Sequence, residues 1–235
     1  MSGEKEMTYK EAIEKAGNSL TRFPLIPIRG VPLMSIIANN FDSIWAFNPD
    51  PSDLLIATYP KAGTTWTQEI IDLLINNGDA EACRRAPTPV RSPFLEIHSP
   101  PPIPSGLDLL KKMDPPRIIK THLPFQLVPQ GFWENKCKNP ARVVRTIMQY
   151  LDLSVSDEVI DRIVELTSFK NMKDNPMANY SCVPPEVFDM SISPFMRKGE
   201  VGDWKNYFTP EQLKMFDEDY EKQMKDVHIP FRSLI

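Results

Sequence analysis

Leu54-Leu55-Ile56-Ala57 is a run of apolar residues with no polar alternation, and it passes directly into Thr58-Tyr59-Pro60-Lys61-Ala62-Gly63-Thr64-Thr65-Trp66. A strand that is apolar on both faces must be covered on both, as in a parallel sheet packed between helices. Beyond the turn, Ile70, Ile71, Leu73 and Leu74 fall on the inward side of a helix, and Asn76-Asn77-Gly78 supplies its stop. Strand, small-residue turn and helix in that order predict an α/β fold with a parallel sheet flanked by helices. Arg117-Ile118-Ile119-Lys120 is a second short buried strand, ending at Thr121-His122.

Most of the remaining chain has helical patterning. Thr8 followed by Glu11 is a capping-box start for a short polar helix that Gly17 can end, and Pro32 to Phe47 carries Leu33, Ile36, Ile37, Phe41, Ile44 and Trp45 close to helical spacing. Asn139-Pro140 caps a helix through Val143, Val144, Ile147, Met148 and Leu151. Ser156 to Leu166 is expected to bury Val159, Ile160, Ile163 and Val164, and Thr209-Pro210-Glu211-Gln212 opens a last helix with Leu213, Phe216 and Tyr220 on one face. No repeat divides the sequence, so residues 1–235 are expected to form one domain. Two strands alone, however, do not make an independently stable sheet. The abrupt join Lys136-Cys137-Lys138-Asn139-Pro140, where a strand-like context meets a helix cap, is where sheet is expected to be missing.

A net charge of -4 argues against nucleic acid as a partner, because phosphate-backbone affinity needs a surplus of Lys and Arg. Cys83, Cys137 and Cys182 have no metal-ligand spacing and fit free thiols in a reducing compartment. With no apolar run long enough to span a bilayer and a polar stretch from Met1 to Lys15, the chain is expected to be soluble and cytoplasmic, with no membrane partner. Eleven of its 24 prolines fall in Arg85 to Pro104 and Pro115 to Pro129, among apolar residues. That pattern fits long ordered loops over a pocket, or plain surface loops.

Three stretches carry chemistry. At the turn after the first strand, a helix N-terminus offers unpaired amides and a positive dipole end, Gly63 allows close backbone approach, Thr64 and Thr65 add hydroxyls, and Lys61 places an ammonium beside a bound anion. Its Lys precedes the Gly, so the spacing is not that of a nucleotide-triphosphatase loop, and an ordinary strand-to-helix turn is the alternative. Lys120-Thr121-His122 lies just past the second strand, where open parallel sheets bind ligands; His122 there is either a base for an acceptor hydroxyl or a structural histidine. Phe195-Met196-Arg197-Lys198-Gly199, followed by Gly202-Asp203-Trp204-Lys205-Asn206, suits a phosphate clamp or an exposed basic loop.

Together, Thr58 to Trp66, Lys120-Thr121-His122-Leu123-Pro124, and Arg197-Lys198-Gly199 with Gly202 to Asn206 resemble the signature blocks of cytosolic sulfotransferases, most closely the phenol-type branch, from about Phe23 onward. The resemblance implies a P-loop-like sulfotransferase fold, here with a truncated sheet, and the donor 3'-phosphoadenosine 5'-phosphosulfate, with no metal. It implies that Lys61, Ala62, Gly63, Thr64, Thr65 and Trp66 hold the 5'-phosphate. Trp66 and Phe169 would pack on adenine within a site lined by Thr167, Ser168, Phe169, Lys170, Asn171 and Met172. Arg197, Lys198 and Gly199 would grip the 3'-phosphate, with Phe195 and Met196 also among the donor-binding residues. His122 resembles the family's general base, Lys61 and Lys120 its charge stabilisers, and Ile37, Phe94, Ile97, Lys120, Thr121 and His122 the acceptor site for a small phenol or alcohol.

The chain departs from the family pattern in three ways. Ala62 stands for a common Ser. Several tens of residues are absent after Cys137, among them a central strand and the Arg and Ser that bind the 3'-phosphate. In the dimer motif Lys205 and Thr209 are kept while Pro210 and Lys214 replace Val and Glu, which counts against a homodimer by that route. Two other functions remain open on the residues: a shortened form that binds nucleotide or partners without turnover, and a small-molecule kinase using Lys61 to Thr65, for which a strand ending in a metal-binding carboxylate is lacking.

Overall fold

The computed structural model describes residues 11, 15, 23–98, 102–134, 147–149, 151–183, 189–200 and 202–225. Contacts group the chain into two compact units, Met1–Met196 and Arg197–Ile235.

In the first unit, β1 (Leu25–Ile28) and β2 (Val31–Met34) form an antiparallel hairpin, followed by the short helices α1 (Ser35–Ala38) and α2 (Phe41–Trp45). Strand β3 (Leu54–Ala57) leads through the turn into α3 (Thr64–Ile75), and α4 (Ala80–Cys83), α5 (Thr88–Arg91) and α6 (Gly106–Lys111) precede β4 (Ile118–Thr121). A 3-10 turn at Phe125–Leu127, α7 (Gly131–Glu134), α8 (Asp157–Leu166) and α9 (Phe169–Asp174) follow. The second unit holds a 3-10 turn at Asp203–Asn206 and α10 (Pro210–Met224).

β3 and β4 are parallel, in register from Leu54 opposite Ile118 to Ala57 opposite Thr121. Alternate residues feed two separate cores, which is why β3 is apolar throughout and β4 begins with two isoleucines. Leu55 and Ile119 join Ile37, Phe41, Leu95, Leu127 and Phe132 on one face. Leu54, Ile56 and Ile118 join Ile70, Ile71, Leu74 and Ile163 on the other. The strand starts are tied by Asp53, whose buried carboxylate accepts from the Arg117 backbone N–H at 2.9 Å and pairs with its guanidinium. Pro93 to Leu95 runs along the outer side of β4: Lys120 N donates to Pro93 O and Leu95 N to Lys120 O, both at 2.9 Å. Within the described part of the first proline-rich stretch, Thr88, Arg91, Ser92, Leu95, Glu96 and Ile103 are buried.

The N-terminal hairpin corrects the helix expected from Pro32. Arg29 and Gly30 both have positive φ, 50° and 82°, the geometry of a tight hairpin turn, and helix begins only at Ser35. Leu33, Ile36 and Ile37 mimic helical spacing because a half-buried strand runs straight into a one-turn helix. Two other expected features are present: α3 ends where Gly78, φ 76°, donates to Leu73 O at 2.7 Å, and α10 has a capping box between Thr209 and Gln212. In α8 Ser156 caps the first turn and Ile160 and Ile163 are buried, but Val164 is 55% exposed, contrary to expectation. It lies about 100° round the helix from Ile163, off the apolar stripe. Thr8, Cys137 and the expected cap Asn139-Pro140 lie outside the described residues, while residues 147–149 are helical and Ile147 is buried beside Ile163. No helix among the described residues is long and apolar enough to cross a membrane.

A buried charge cluster fastens the proline-rich segment to α3. Arg91, whose side chain is 2% exposed, pairs with both Glu69 and Asp72, Arg85 reaches Asp72 at 2.7 Å, and Thr88 Oγ1 donates to Glu69 at 2.8 Å. Burial pushes the Glu69 carboxyl up despite Arg91. Burial also opposes ionisation of Asp72, yet its hydrogen bonds and charges from Arg85 and Arg91 prevail and hold it below the usual range. Replacing Arg91 by Met leaves Glu69 without its cation and is expected to cost about 3–5 kcal/mol of unfolding free energy in urea titrations. Wild-type stability in that variant would show that the cluster does not hold the two segments together.

Candidate active site

Parallel pairing sets the C-terminal ends of β3 and β4 side by side, with Thr58 N donating to Thr121 O at 3.2 Å. One residue further on, His122 Nδ1 lies 2.7 Å from the Thr58 carbonyl oxygen and 3.3 Å from Thr58 Oγ1. A carbonyl can only accept, so Nδ1 carries the hydrogen, and in the neutral ring Nε2 keeps its lone pair. The ring is half-buried, with Phe94 meeting it edge-on at 4.9 Å. Burial lowers its pKa, the Lys120 charge adds to that, and the Thr58 bond opposes it.

Two buried ionisable groups adjoin the imidazole turn. Lys120 is 7% exposed with its Nζ 4.2 Å from the Phe94 ring centroid, and burial pulls its ammonium down to about 8 against the attraction of Glu96. Glu96 accepts from His122 N at 2.7 Å and from Thr121 Oγ1 at 2.9 Å. Burial pushes its carboxyl up to about 7, against both bonds and the charge of Lys120. Glu96 thus fixes the turn that carries His122. It was not among the expected site residues, although one carboxylate inside Phe94-Leu95-Glu96-Ile97 is the signal that points to it. Gly106 holds the other side of this segment: a Cβ there would lie 1.9 Å from Phe94 O, and its N–H donates to Ile97 O at 2.7 Å. Of the expected acceptor residues, Phe94, Lys120, Thr121 and His122 adjoin one another. Ile97 is half-buried on the same loop, and Ile37 is buried in the core face that holds Leu55 and Ile119.

The turn after β3 opens α3 with Gly63 at φ 91° as the capping residue and no side-chain cap. Without such a cap, the leading N–H groups of α3 are suited to an anion. Thr64 and Thr65 are buried; the Thr64 hydroxyl is 2.6 Å from that of Thr58, and the Thr65 side chain interacts with the Tyr180 phenol. Lys61, itself at φ 65°, extends its Nζ to Phe195 O at 2.7 Å. Ala62 is exposed and Trp66 is 46% exposed. Thr58 therefore links His122 to the first residue of α3, so the histidine and the anion-binding turn share one hydrogen-bonded corner.

The expected base-site residues sit where α8 passes into α9. Thr167 Oγ1 donates to Ile163 O at 2.7 Å, Ser168 caps α9, Met172 is buried, Phe169 is half-buried, and Lys170 and Asn171 are exposed. α9 packs on α8 and α8 on α3. Phe195 and Met196 end the first unit. In the second, Lys198 Nζ reaches Asp203 Oδ1 at 2.8 Å, Arg197 pairs with Oδ2 of the same carboxylate and donates to Tyr207 Oη at 2.8 Å, and Gly199 has φ 68°. Lys198, Asn206 and Arg197 hold Asp203 well below the usual carboxylate range. Among the described residues, no group of His, Cys, Asp and Glu is arranged to hold a metal ion.

Glu96 offers a test of this corner. Its carboxyl titrates near 7 when folded, against an ordinary 4.5, so the folded state holds the extra proton between those values and stability falls as pH rises through them. Glu96→Gln, which cannot ionise, is expected to flatten that decline in unfolding free energies measured across the same range. An unchanged slope would place the proton elsewhere.

Residues 51–139 and 138–228 match the family described as the sulfotransferase domain, and the two matches meet at the expected join. Dog sulfotransferase 1B1 is 36% identical over 282 aligned positions, covering 88% of this chain and 95% of that protein. Rabbit sulfotransferase 1C2 is 37% identical over 278 positions, with 87% and 94% covered, and mouse sulfotransferase 1A1 is 36% identical over 288, with 91% and 99% covered. These alignments are longer than the chain's 235 residues, so they run through a stretch that the relatives have and this chain lacks. Among solved structures, the fold is shared with retinol dehydratase in complex with androsterone and the inactive cofactor PAP, at a TM-score of 0.74 and 18% identity over 96% of this chain and 95% of that one. Mouse sulfotransferase SULT7A1 complexed with PAP gives 0.63 and 21%, over 87% and 96%. Matched in both halves, the protein belongs to the sulfotransferase family, as a member without an internal segment that its relatives carry.

Proposed function

We propose that the chain moves a sulfuryl group from 3'-phosphoadenosine 5'-phosphosulfate to the hydroxyl of a small, largely apolar phenol or alcohol. The observation that carries this reading is the 2.7 Å bond from His122 Nδ1–H to the Thr58 carbonyl, which leaves Nε2 as a base beside an anion-binding turn. Relatives at 36–37% identity are named sulfotransferases, and two fold neighbours hold PAP, one with androsterone.

The residues present fit such a donor in part. A helix start capped only by Gly63, with Lys61 at its turn, suits the 5'-phosphate, together with Ala62, Thr64, Thr65 and Trp66. Arg197 and Lys198, steered by one carboxylate and followed by Gly199, suit the 3'-phosphate, with Phe195 and Met196 leading into them. Trp66 and Phe169 are assigned to the adenine, with Thr167 to Met172 around it. When bound, the donor supplies an activated sulfuryl group, whose sulfur bonds to the acceptor oxygen as its bond to the phosphate oxygen breaks.

His122 Nε2 takes the proton of the acceptor hydroxyl during attack, and its lowered pKa keeps it unprotonated for that task. Lys61 stabilises charge on the departing phosphate oxygen. Lys120, at about 8, remains largely charged at neutral pH and steadies the transferring group. Phe94, Ile97 and Ile37 shape the apolar side of the acceptor site. A cytoplasmic location and the conjugation of foreign small molecules belong to the same proposal, supported by the free thiol Cys83 and by the relatives.

Labelled sulfate should pass to a simple phenol, and His122→Ala should lower that transfer by about a hundredfold or more while binding of PAP is kept. Transfer indifferent to His122, or magnesium-dependent use of ATP, would overturn the assignment. The absent segment carries donor contacts in the family, each worth about 1.5–3 kcal/mol. Calorimetric titration should therefore give weaker PAP binding, and assays slower turnover, than in a full-length relative; equal affinity in the two would show that the segment's contacts are replaced.

A further inference from the structure

We propose that Tyr180 is a positioning residue for Lys61, acting through Phe195. Lys61 stands on a turn and is exposed, yet its ammonium is held twice by one distant residue. Nζ donates to the Phe195 carbonyl at 2.7 Å and lies 4.3 Å from the centroid of that residue's ring. The Phe195 ring is in turn placed by Tyr180, the two centroids being 4.1 Å apart with the planes tilted by 33°. The Tyr180 phenol interacts with the side chain of Thr65, the second residue of α3. The circuit from Thr65 through Tyr180 and Phe195 to Lys61 begins and ends on the anion-binding turn. It sets the ammonium relative to the first amides of α3.

Tyr180 is itself firmly seated. Its backbone is left-handed, φ 62°, a conformation that an aromatic residue keeps only when its surroundings impose it. Just upstream, the Thr88 N–H donates to Met177 O at 2.8 Å, with the Thr88 hydroxyl 2.8 Å from the same oxygen, and Ala178 is fully buried; just downstream, Val183 N donates to Tyr180 O at 2.9 Å. Burial pushes the phenol up to about 12, so it stays a neutral hydroxyl throughout the working range. None of these contacts involves a reacting atom, so the proposed route from this residue to the chemistry runs by way of Lys61.

The inference rests on the proposed role of Lys61 at the donor phosphate, but its first test needs neither donor nor turnover. The full chain is acylated with N-hydroxysuccinimidyl acetate, and the rate at Lys61 is read by peptide mass spectrometry, with exposed Lys170 as internal reference. Tyr180→Leu is expected to raise the Lys61 rate about fivefold relative to Lys170, the worth of one lost hydrogen bond, and Tyr180→Phe to raise it less. Should Tyr180→Leu not fold, Tyr180→Phe and Phe195→Leu decide: an unchanged rate in the folded variants overturns the proposal. A second readout is PAP affinity. Tyr180→Leu should weaken it about fivefold in the wild-type chain but hardly at all in Lys61→Met. Equal loss in both backgrounds would mean a purely structural tyrosine, and would overturn the positioning role.

Discussion

The register that places Ala57 opposite Thr121 is the constraint on which the site depends. Because both strands run the same way, their carboxyl ends emerge together. The next residue on each side is then close enough for the Thr58 carbonyl to take the His122 Nδ1 hydrogen. A slip of one residue would turn every side chain of β4 to the opposite face and remove the imidazole from the corner. The register is guarded at the other end by Asp53 and Arg117, which pair just before the strands begin. It is guarded along its length by two cores that accept alternate residues.

Around this pair, buried charge replaces the width that a larger sheet would provide. The Arg91 cluster binds the proline-rich segment to α3, and Glu96 on that segment binds the turn bearing His122. The segment that walls the site is thus also the link between its two strand ends. Gly106 belongs to the same arrangement, since no residue with a side chain could approach the Phe94 carbonyl so closely. Removing hydrogen-bond or charge partners from such groups leaves them buried and unmatched, which is why the segment has few neutral alternatives.

Much of the corner was legible in the residues. An unbroken apolar run fixed the first strand and its parallel setting, the Lys61 to Thr65 turn marked the helix start, and Thr121-His122 marked the second strand end. The shortage of strands was visible too, and the two family matches meeting at residues 138 and 139 locate the same gap. What escaped was long-range or locally ambiguous. The hairpin at Leu25–Met34 was hidden because Arg29 is an unusual residue for a tight-turn position with positive φ. Glu96, Arg91 and Tyr180 contact partners 15 to 115 positions away, a relation that no local pattern records.

Strand pairing, the Asp53 clasp, Glu96 and the imidazole all come from one continuous stretch, Asp53 to Leu123, upstream of the join. During synthesis the amino-terminal part of a chain emerges and folds first. The base and its hydrogen-bond setting can therefore be complete while the later half is still being made. What arrives afterwards is the Phe195 carbonyl that seats Lys61 and the Arg197–Lys198 pair. The proposed base and the proposed 5'-phosphate turn thus share one length of chain, the proposed 3'-phosphate clamp belongs to another, and the segment missing at the join falls between them.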